Sequence, residues 1–540
     1  MKVLESPDFR NSLFFILLIV FCCLPVWAVE FFINQDGSSH INSSFLMLEL
    51  LKGNPNISEI YTFNSISVPN SSGHWLMVLL LNFFSPFAVT KIIVTLTFAL
   101  FVAFIGWFRL KTVGAEEGLK TSLLFGAAIG FNWLWLVGFY NFLIGVCCLI
   151  LTAGLFFKWR EKMNLWRAVC LSMLFLLAYF SHIVSFAVLA GSVFIISLSA
   201  EKSKIKQNLL WIFLAFLPII PLAVIYKSVS ASGGGFSPAW RHLENPLSIT
   251  NWLTQIRMAD PFILISRKSF PFFNGNSNFF AVFTPILWIL AALGSLSVAS
   301  YFEKDKLFTK TNLAFAFLFV SLVVSAMFAP DDFGLTNGSV LRERLLLCGL
   351  IFFVPLFRAG NSIYLKRFAQ FCLCFVVIFQ TAALWDYSLH TSRKAAEFLS
   401  ARNVIAPDDK TASVVLVEDS ARFHAYPMTQ LNNYLGFEKN RIVWDNYEIG
   451  HYLFPIKAKA PEEKEFVFEL TKDNAFLMQD EGGIFDEKLN KLDLCLSQNH
   501  EKIRTLLFWG KDARLEAIFN KWFDSQPVFE NGNMRVFRHK

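Results

Sequence analysis

The sequence predicts an α-helical polytopic membrane protein with a C-terminal extracytoplasmic α/β domain, and three observations carry that prediction. The 540-residue chain is 55% hydrophobic and holds 62 phenylalanines, with a mean hydropathy of +0.48, outside the range of an ordinary soluble domain. Apolar stretches of about 20 residues, long enough to cross a bilayer as helices, recur along the first 388 positions. From about residue 389 the long apolar runs stop and charged residues become frequent.

The first apolar stretch, Ser12 to Phe32, has no small-residue cleavage site and is followed by many like it. It therefore reads as a retained transmembrane helix rather than a removed signal. Further helices are expected near 89–108, 121–138, 141–157, 166–181, 183–199, 208–227, 278–300, 312–329, 344–357 and 368–388, about eleven spans in all. Five connections are rich in lysine and arginine: "RLKTVGAEEGLK" from Arg109, "KWREKMNLWR" from Lys158, "EKSKIK" from Glu201, "EKDKLFTK" from Glu303, and Arg358 to Arg367. Positive charge marks cytoplasmic loops. The N-terminus is then inside, and residues 33–73, the turn Gly138 to Asn141, the turn around His182, residues 228–277, residues 330–343 and the C-terminal region lie outside.

Residues 74–108 could hold two helices around Ser85-Pro86, yet two crossings would invert every later loop. Residues 74–87 are accordingly expected to form a re-entrant or interfacial half-helix broken by proline. The chain divides into a transmembrane domain, 1–388, with an outer loop 33–73, and a soluble α/β domain, 389–540. In the latter, "SRKAAEFLSAR" and "DARLEAIFNKWF" read as amphipathic helices, while "ASVVLVE", "EFVFEL", "IRTLLFWG" and "MRVFRHK" read as strands.

Several function classes are disfavoured. The formal charge of +7 resides mostly in short connections, where it sets orientation, so nucleic acid is not an expected partner. Eight of the nine cysteines lie in apolar segments and only Cys495 in a polar one, which supports neither a disulfide framework nor a cysteine metal site. The few ionisable residues of the spans, Glu30, Lys91, Lys227, Arg344 and Asp386, fall near span ends, which argues against ion-coupled transport.

Polar residues gather instead in the outer loops. "INQDGSSHINSSF" (33–45) opens a segment whose apolar spacing, Ile41, Phe45, Leu48 and Leu51, suggests an amphipathic helix along the membrane interface, with Asp36 at its start. A carboxylate there can accept a proton from an acceptor hydroxyl or coordinate a divalent metal such as Mg or Mn; it can equally cap the helix or open a D-G turn. His40 is a second catalytic candidate, although a lone histidine is more often structural. In "APDDFGLTNGSVLRERLLL" (329–347), Arg342 and Arg344 stand on the outer face, where guanidinium groups recognise phosphate through paired hydrogen bonds. Asp331, Asp332 and Glu343 provide the other reading, a structural ion-pair network. The three glycines of "SGGGFSPAWRH" suggest either a segment that closes over a site or a plain linker.

Taken together, "QDGSSHINSSFLMLELLKG", "GFYNFLIG" (Gly138 to Gly145), "SHIVSF" with His182, and "PDDFGLTNGSVLRERL", in this order, resemble the GT-C superfamily of integral membrane glycosyltransferases, in particular uncharacterised bacterial members. The layout is similar to that of polyprenyl-phosphate-dependent mannosyl and aminoarabinosyl transferases, and the likeness covers the chain through about residue 388. It implies transfer of a sugar from a polyprenyl-phosphate carrier to a glycan, lipid or protein acceptor at the non-cytoplasmic face of a bacterial inner membrane. It further implies Asp36 as base or metal ligand, His40 beside it, Arg342 and Arg344 on the carrier phosphate, and Asn141, His182, Asp331 and Glu343 as substrate contacts. This chain has Asp36-Gly37 where many GT-C enzymes have two adjacent acids, which bears on metal dependence. Aromatic and amide residues in 424–437 and 444–455 fit either an acceptor surface or a buried edge of the α/β domain. A flippase-like transporter of lipid-linked glycan and a non-catalytic scaffold presenting its outer domain are the competing classes.

Overall fold

The computed structural model describes residues 7–114, 118–231, 238–239, 289–299, 309–331, 333, 340–357, 362–417, 425–437, 440–471, 476–478 and 483–540. The expected glycine-rich segment, Asp332 and most of helix 278–300 lie outside the described residues. The chain forms two compact units: Met1–Pro25 with Val94–Trp135 and Tyr140–Trp385, and Val26–Ile93 with Leu136–Phe139 and Asp386–Lys540.

Among the described residues, five helices are long and apolar enough to cross a membrane: Arg10–Trp27, Pro86–Val113, Tyr140–Trp159, Lys310–Phe328 and Ile363–Val404. The pair Lys202–Phe216 and Ile219–Ser228, bent by 50°, makes a sixth if taken as one broken span. Pro218 stands at the break, where it removes a backbone donor and crowds the preceding turn. On the first helix Leu13, Ile16, Leu17, Val20, Phe21 and Leu24 are exposed along one side. Such a stripe is tolerated when lipid rather than water covers it, and the chain is consistent with a multi-pass membrane protein.

The gap between these and the eleven expected spans lies in shorter apolar helices, Leu119–Gly130, Leu165–Ser181, Ile183–Leu198 and Ile289–Ala299, and in Leu341–Phe353. The expected helix 121–138 is interrupted because Asn132 accepts a hydrogen bond from the Leu134 amide, 2.9 Å, and starts a new short helix, Trp133–Val137. The Ser72–Leu81 helix has ten residues, about half a crossing, and a separate helix begins at Pro86; this is the length expected of a half-helix.

Within the helical unit, close approach is set by small residues. A Cβ on Gly145 would lie 2.0 Å from Ser185 Oγ, so the helix Tyr140–Trp159 meets Ile183–Leu198 nearly backbone to backbone. Buried Arg109 donates to the carbonyls of Val354 and Phe357 beyond the end of Leu341–Phe353 and stacks on Phe357, 4.8 Å from the ring centre. A cation at carbonyls left over by a helix end is favourable.

Among the described residues, the other unit carries two sheets. Strands β1 (Tyr61–Phe63) and β4 (Ile456–Ala458) pair antiparallel, Tyr61 opposite Ala458. A six-stranded sheet centres on β2 (Lys410–Val417), which pairs parallel with β3 (Ile442–Val443), β5 (Phe476–Met478) and β6 (Thr505–Trp509). Strand β8 (Met534–Arg538) adds antiparallel to β6, and β7 (Phe529–Asn531) to β8. The α/β reading of this region thus matches its sheet and helices, and three of four expected strands are present. "EFVFEL" instead lies in the helix Pro461–Glu469. Its first turn holds Pro461, Glu462 and Glu463, residues that favour a helix N-terminus over a strand.

Residues 26–93 belong to the same unit as 386–540, a division different from a boundary at residue 388. The helix Gly37–Leu51, expected to lie along the interface, is instead buried on both faces over its first turns. Leu46, Met47 and Leu48 join the core that contains Ala412, Val414 and Phe508. Its polar face meets the C-terminal segment: Ser38 Oγ donates to the Gln430 carbonyl, 2.7 Å, Ser39 Oγ to Gln430 Oε1, 2.9 Å, and Asn446 Nδ2 to Asn42 Oδ1, 2.9 Å.

Below this network Asp445 is fully buried, accepting from Ser413 Oγ and, at 2.6 Å, from Asn432 Nδ2. Burial pushes its carboxyl up to about 6. The folded state then holds the proton more tightly than the unfolded chain, whose value is about 3.9, so stability falls as pH rises from about 4 to about 6. Asp445→Asn, neutral throughout, should flatten that slope, on the order of 3 kcal/mol at about 1.36 kcal/mol per pKa unit; melting of wild type and variant across this range checks it.

Candidate functional site

The chain reaches Asp36 under backbone control. Gln35 N–H donates to the Leu136 carbonyl, 3.2 Å, and Asp36 N–H to Val137, 2.8 Å. The turn ends at Gly138, whose φ is +93° and where a Cβ would lie 2.9 Å from Gly37 N and 3.2 Å from Asn34 Cβ. Gly138 therefore lets the "GFYN" turn seat directly on the D-G step.

Asp36 occupies the N-cap position of Gly37–Leu51, but its side chain makes no cap hydrogen bond. It is bonded by Tyr447 and Gln35 instead, and burial pushes its carboxyl up to about 6, with the charge of His40 pulling it down and that of Glu448 pushing it up. The simple capping role is thereby set aside.

One helical turn on, His40 Nδ1 is hydrogen-bonded to Glu448 Oε1. The second carboxylate oxygen, Oε2, is bonded to His74 Nε2, 2.9 Å. All three side chains are buried. Burial alone would lower the imidazole of His40, but the charge and hydrogen bond of Glu448, with the Gly138 carbonyl, outweigh it and raise the pKa. Burial likewise works against ionisation of Glu448, and the charges of His74 and His40 overcome it, holding this carboxyl well below the usual range. The His74 and Phe454 rings meet edge to face, 6.0 Å between centres, and Tyr447 meets Phe454 at 5.5 Å, so aromatic carbon surrounds the carboxylate. Among the described residues, His40, His74 and Glu448 form the group whose ligand atoms are close enough to share a metal ion, all within 4.8 Å of one another; Asp36 is not in it.

The helical unit holds the arginine candidates. Arg342 is buried, its Nε donating to the Ala326 carbonyl, 3.1 Å, and its Nη1 to Asp331 Oδ1, 3.2 Å. This is the ion pair that the acidic neighbours allow. Arg344 lies over the Phe142 ring at 5.4 Å, with Nη1 3.1 Å from His182 Nε2. His182 caps Ile183–Leu198, its Nδ1 accepting from the Val184 amide, 3.1 Å. The Arg344 Nη1–H is directed at His182 Nε2, so the two side chains form a hydrogen-bonded pair at the start of Ile183–Leu198. Val340, just before this helix, has φ +63°, a strained conformation for a β-branched residue and one that concentrates at functional sites. Asn141 and Glu343 are buried in the same unit.

The expected residues thus fall into two groups: Asp36 and His40 in one unit, and Arg342, Arg344, His182, Asp331, Glu343 and Asn141 in the other. Sequence reasoning missed His74 and Glu448, which stand 374 positions apart in the chain. The isolated glutamate in "WDNYEIGHYLFP" gave no motif spacing that could have paired it with either histidine. No protein-family model matches the chain, and no curated protein matches it.

Gly138→Ala tests whether the turn sets the site. The new methyl must adopt a left-handed backbone and meets Gly37, so a loss of about 1–3 kcal/mol is expected, read as a lowered melting temperature.

Proposed function

We propose that the protein is a GT-C-type membrane glycosyltransferase that moves a sugar from a polyprenyl-phosphate carrier to an acceptor at the non-cytoplasmic face. In this reading the membrane is a bacterial inner membrane, crossed about eleven times, with the C-terminal α/β region outside. The observation that carries it is Asp36: a carboxylate released from helix capping, held by Tyr447, and raised by burial to about 6. A carboxylate so raised is a stronger base than an exposed aspartate and still ionised at neutral pH, which is what activation of a hydroxyl asks of it.

The reaction then runs as follows. The Asp36 carboxylate takes the acceptor hydroxyl proton while the hydroxyl oxygen forms a bond to the anomeric carbon. The bond from that carbon to the carrier phosphate oxygen breaks, and its electron pair leaves on the phosphate. The GT-C resemblance assigns Arg342 and Arg344 to that charge, and fixed donors in a low-dielectric setting stabilise it better than water. Attack opposite the leaving group inverts the anomeric centre. His40 stands one helical turn from Asp36 on the same helix and acts as a positioning residue.

The test is transfer of radiolabelled sugar from a panel of polyprenyl-phosphate sugars in membranes holding wild type or Asp36→Asn at matched levels. Transfer should fall about 10²–10⁴-fold in the variant, and Arg344→Gln should weaken use of the carrier more than Arg344→Lys. Absence of transfer with every donor, together with normal cell support by Asp36→Asn, would replace this reading with that of a scaffold.

A further inference from the structure

The cluster at Glu448 has more order than a structural ion pair requires. Its three side chains come from three places: His40 from the first turns of Gly37–Leu51, His74 from the first turn of Ser72–Leu81, and Glu448 from the short helix Tyr447–Gly450. Nδ1 of His40 and Nε2 of His74 each meet one oxygen of the Glu448 carboxylate, and the ligand-capable atoms of the three residues lie within 4.8 Å of one another. The two imidazoles stand edge to face, ring centres 5.3 Å apart at 86°, so their nitrogens reach the same carboxylate without stacking.

The surroundings match those of metal ligands. Phe454 lies against both rings, at 6.1 Å from His40 and 6.0 Å from His74, giving the apolar shell that strengthens charge interactions inside it. Two imidazoles and one carboxylate form a donor set suited to zinc and its neighbours rather than to magnesium, which prefers oxygen ligands and retained water.

We propose that His40, His74 and Glu448 bind one divalent d-block cation, zinc by its donor set, with three protein ligands and a further position for water or a substrate oxygen. Such an ion ties residues 40 and 74 to residue 448 and fixes the start of Gly37–Leu51, where Asp36 stands. The assignment does not rest on sugar transfer, and it is read without it.

The experiment uses the full-length protein in detergent, purified without chelator, then stripped and titrated with zinc alone and with cobalt alone. Wild type should carry about one equivalent of zinc, lose thermal stability on stripping and regain it on zinc addition. Cobalt should give visible ligand-field bands of a low-symmetry nitrogen–oxygen site. Glu448→Gln and His74→Gln should each weaken zinc binding more than about 100-fold, beyond what loss of an outer-shell partner causes, whereas Asp36→Asn should keep it. Should either ligand variant fail to fold, cobalt spectra and zinc-dependent melting of wild type decide. A monodisperse wild type that takes up no zinc, binding untouched by folded ligand variants, or loss confined to Asp36→Asn would each overturn the assignment.

Discussion

A single buried carboxylate governs the sheet-bearing unit. Glu448 has no exposure, and an ionised group so placed costs several kcal/mol unless oppositely charged partners and hydrogen bonds meet it. Both of its oxygens are met by imidazole nitrogens. Those imidazoles belong to residues far back in the chain, so the electrostatic demand of one side chain fixes where two helices begin. Strands β1 and β4 repeat the connection with backbone hydrogen bonds, and the core around Leu46, Met47 and Trp444 repeats it with apolar area.

The same requirement explains the polar face of Gly37–Leu51. Buried hydroxyls and amides must find partners, and Ser38, Ser39 and Asn42 find theirs in Gln430 and Asn446. A helix with serines and asparagines on one side reads from sequence as one lying between membrane and water. Here the second medium is protein. The segments 425–437 and 444–455 are correspondingly a buried edge: Asn432, Asn433, Asp445 and Asn446 are fully enclosed.

In the helical unit, charge is handled differently. Arg342 is divided between a helix-end carbonyl and Asp331, while Arg344 rests on an aromatic ring beside a histidine that has already accepted a hydrogen bond on its other nitrogen. The first arrangement neutralises a cation; the second holds it between an aromatic face and an imidazole nitrogen. Strain at Val340 sits at the start of the helix that bears both.

The sequence by itself determined the apolar, helical character of the first part of the chain, the change of composition near residue 389 and the turn that opens at Asp36, because hydropathy, length and turn residues act locally. Helix interruptions at Asn132 and Pro218 were readable in principle from the same local rules. What only the tertiary structure decided was the company these residues keep. His74 and Glu448 carry no mutual spacing, the helix at Gly37 gives no sign that its polar side faces Gln430 and Asn446, and the strand-like "EFVFEL" forms a helix once Pro461 starts it. Period and composition state whether a side chain has an apolar or a polar face. Whether water, lipid or another buried polar group meets that face depends on contacts hundreds of residues apart, which burial, not pattern, selects.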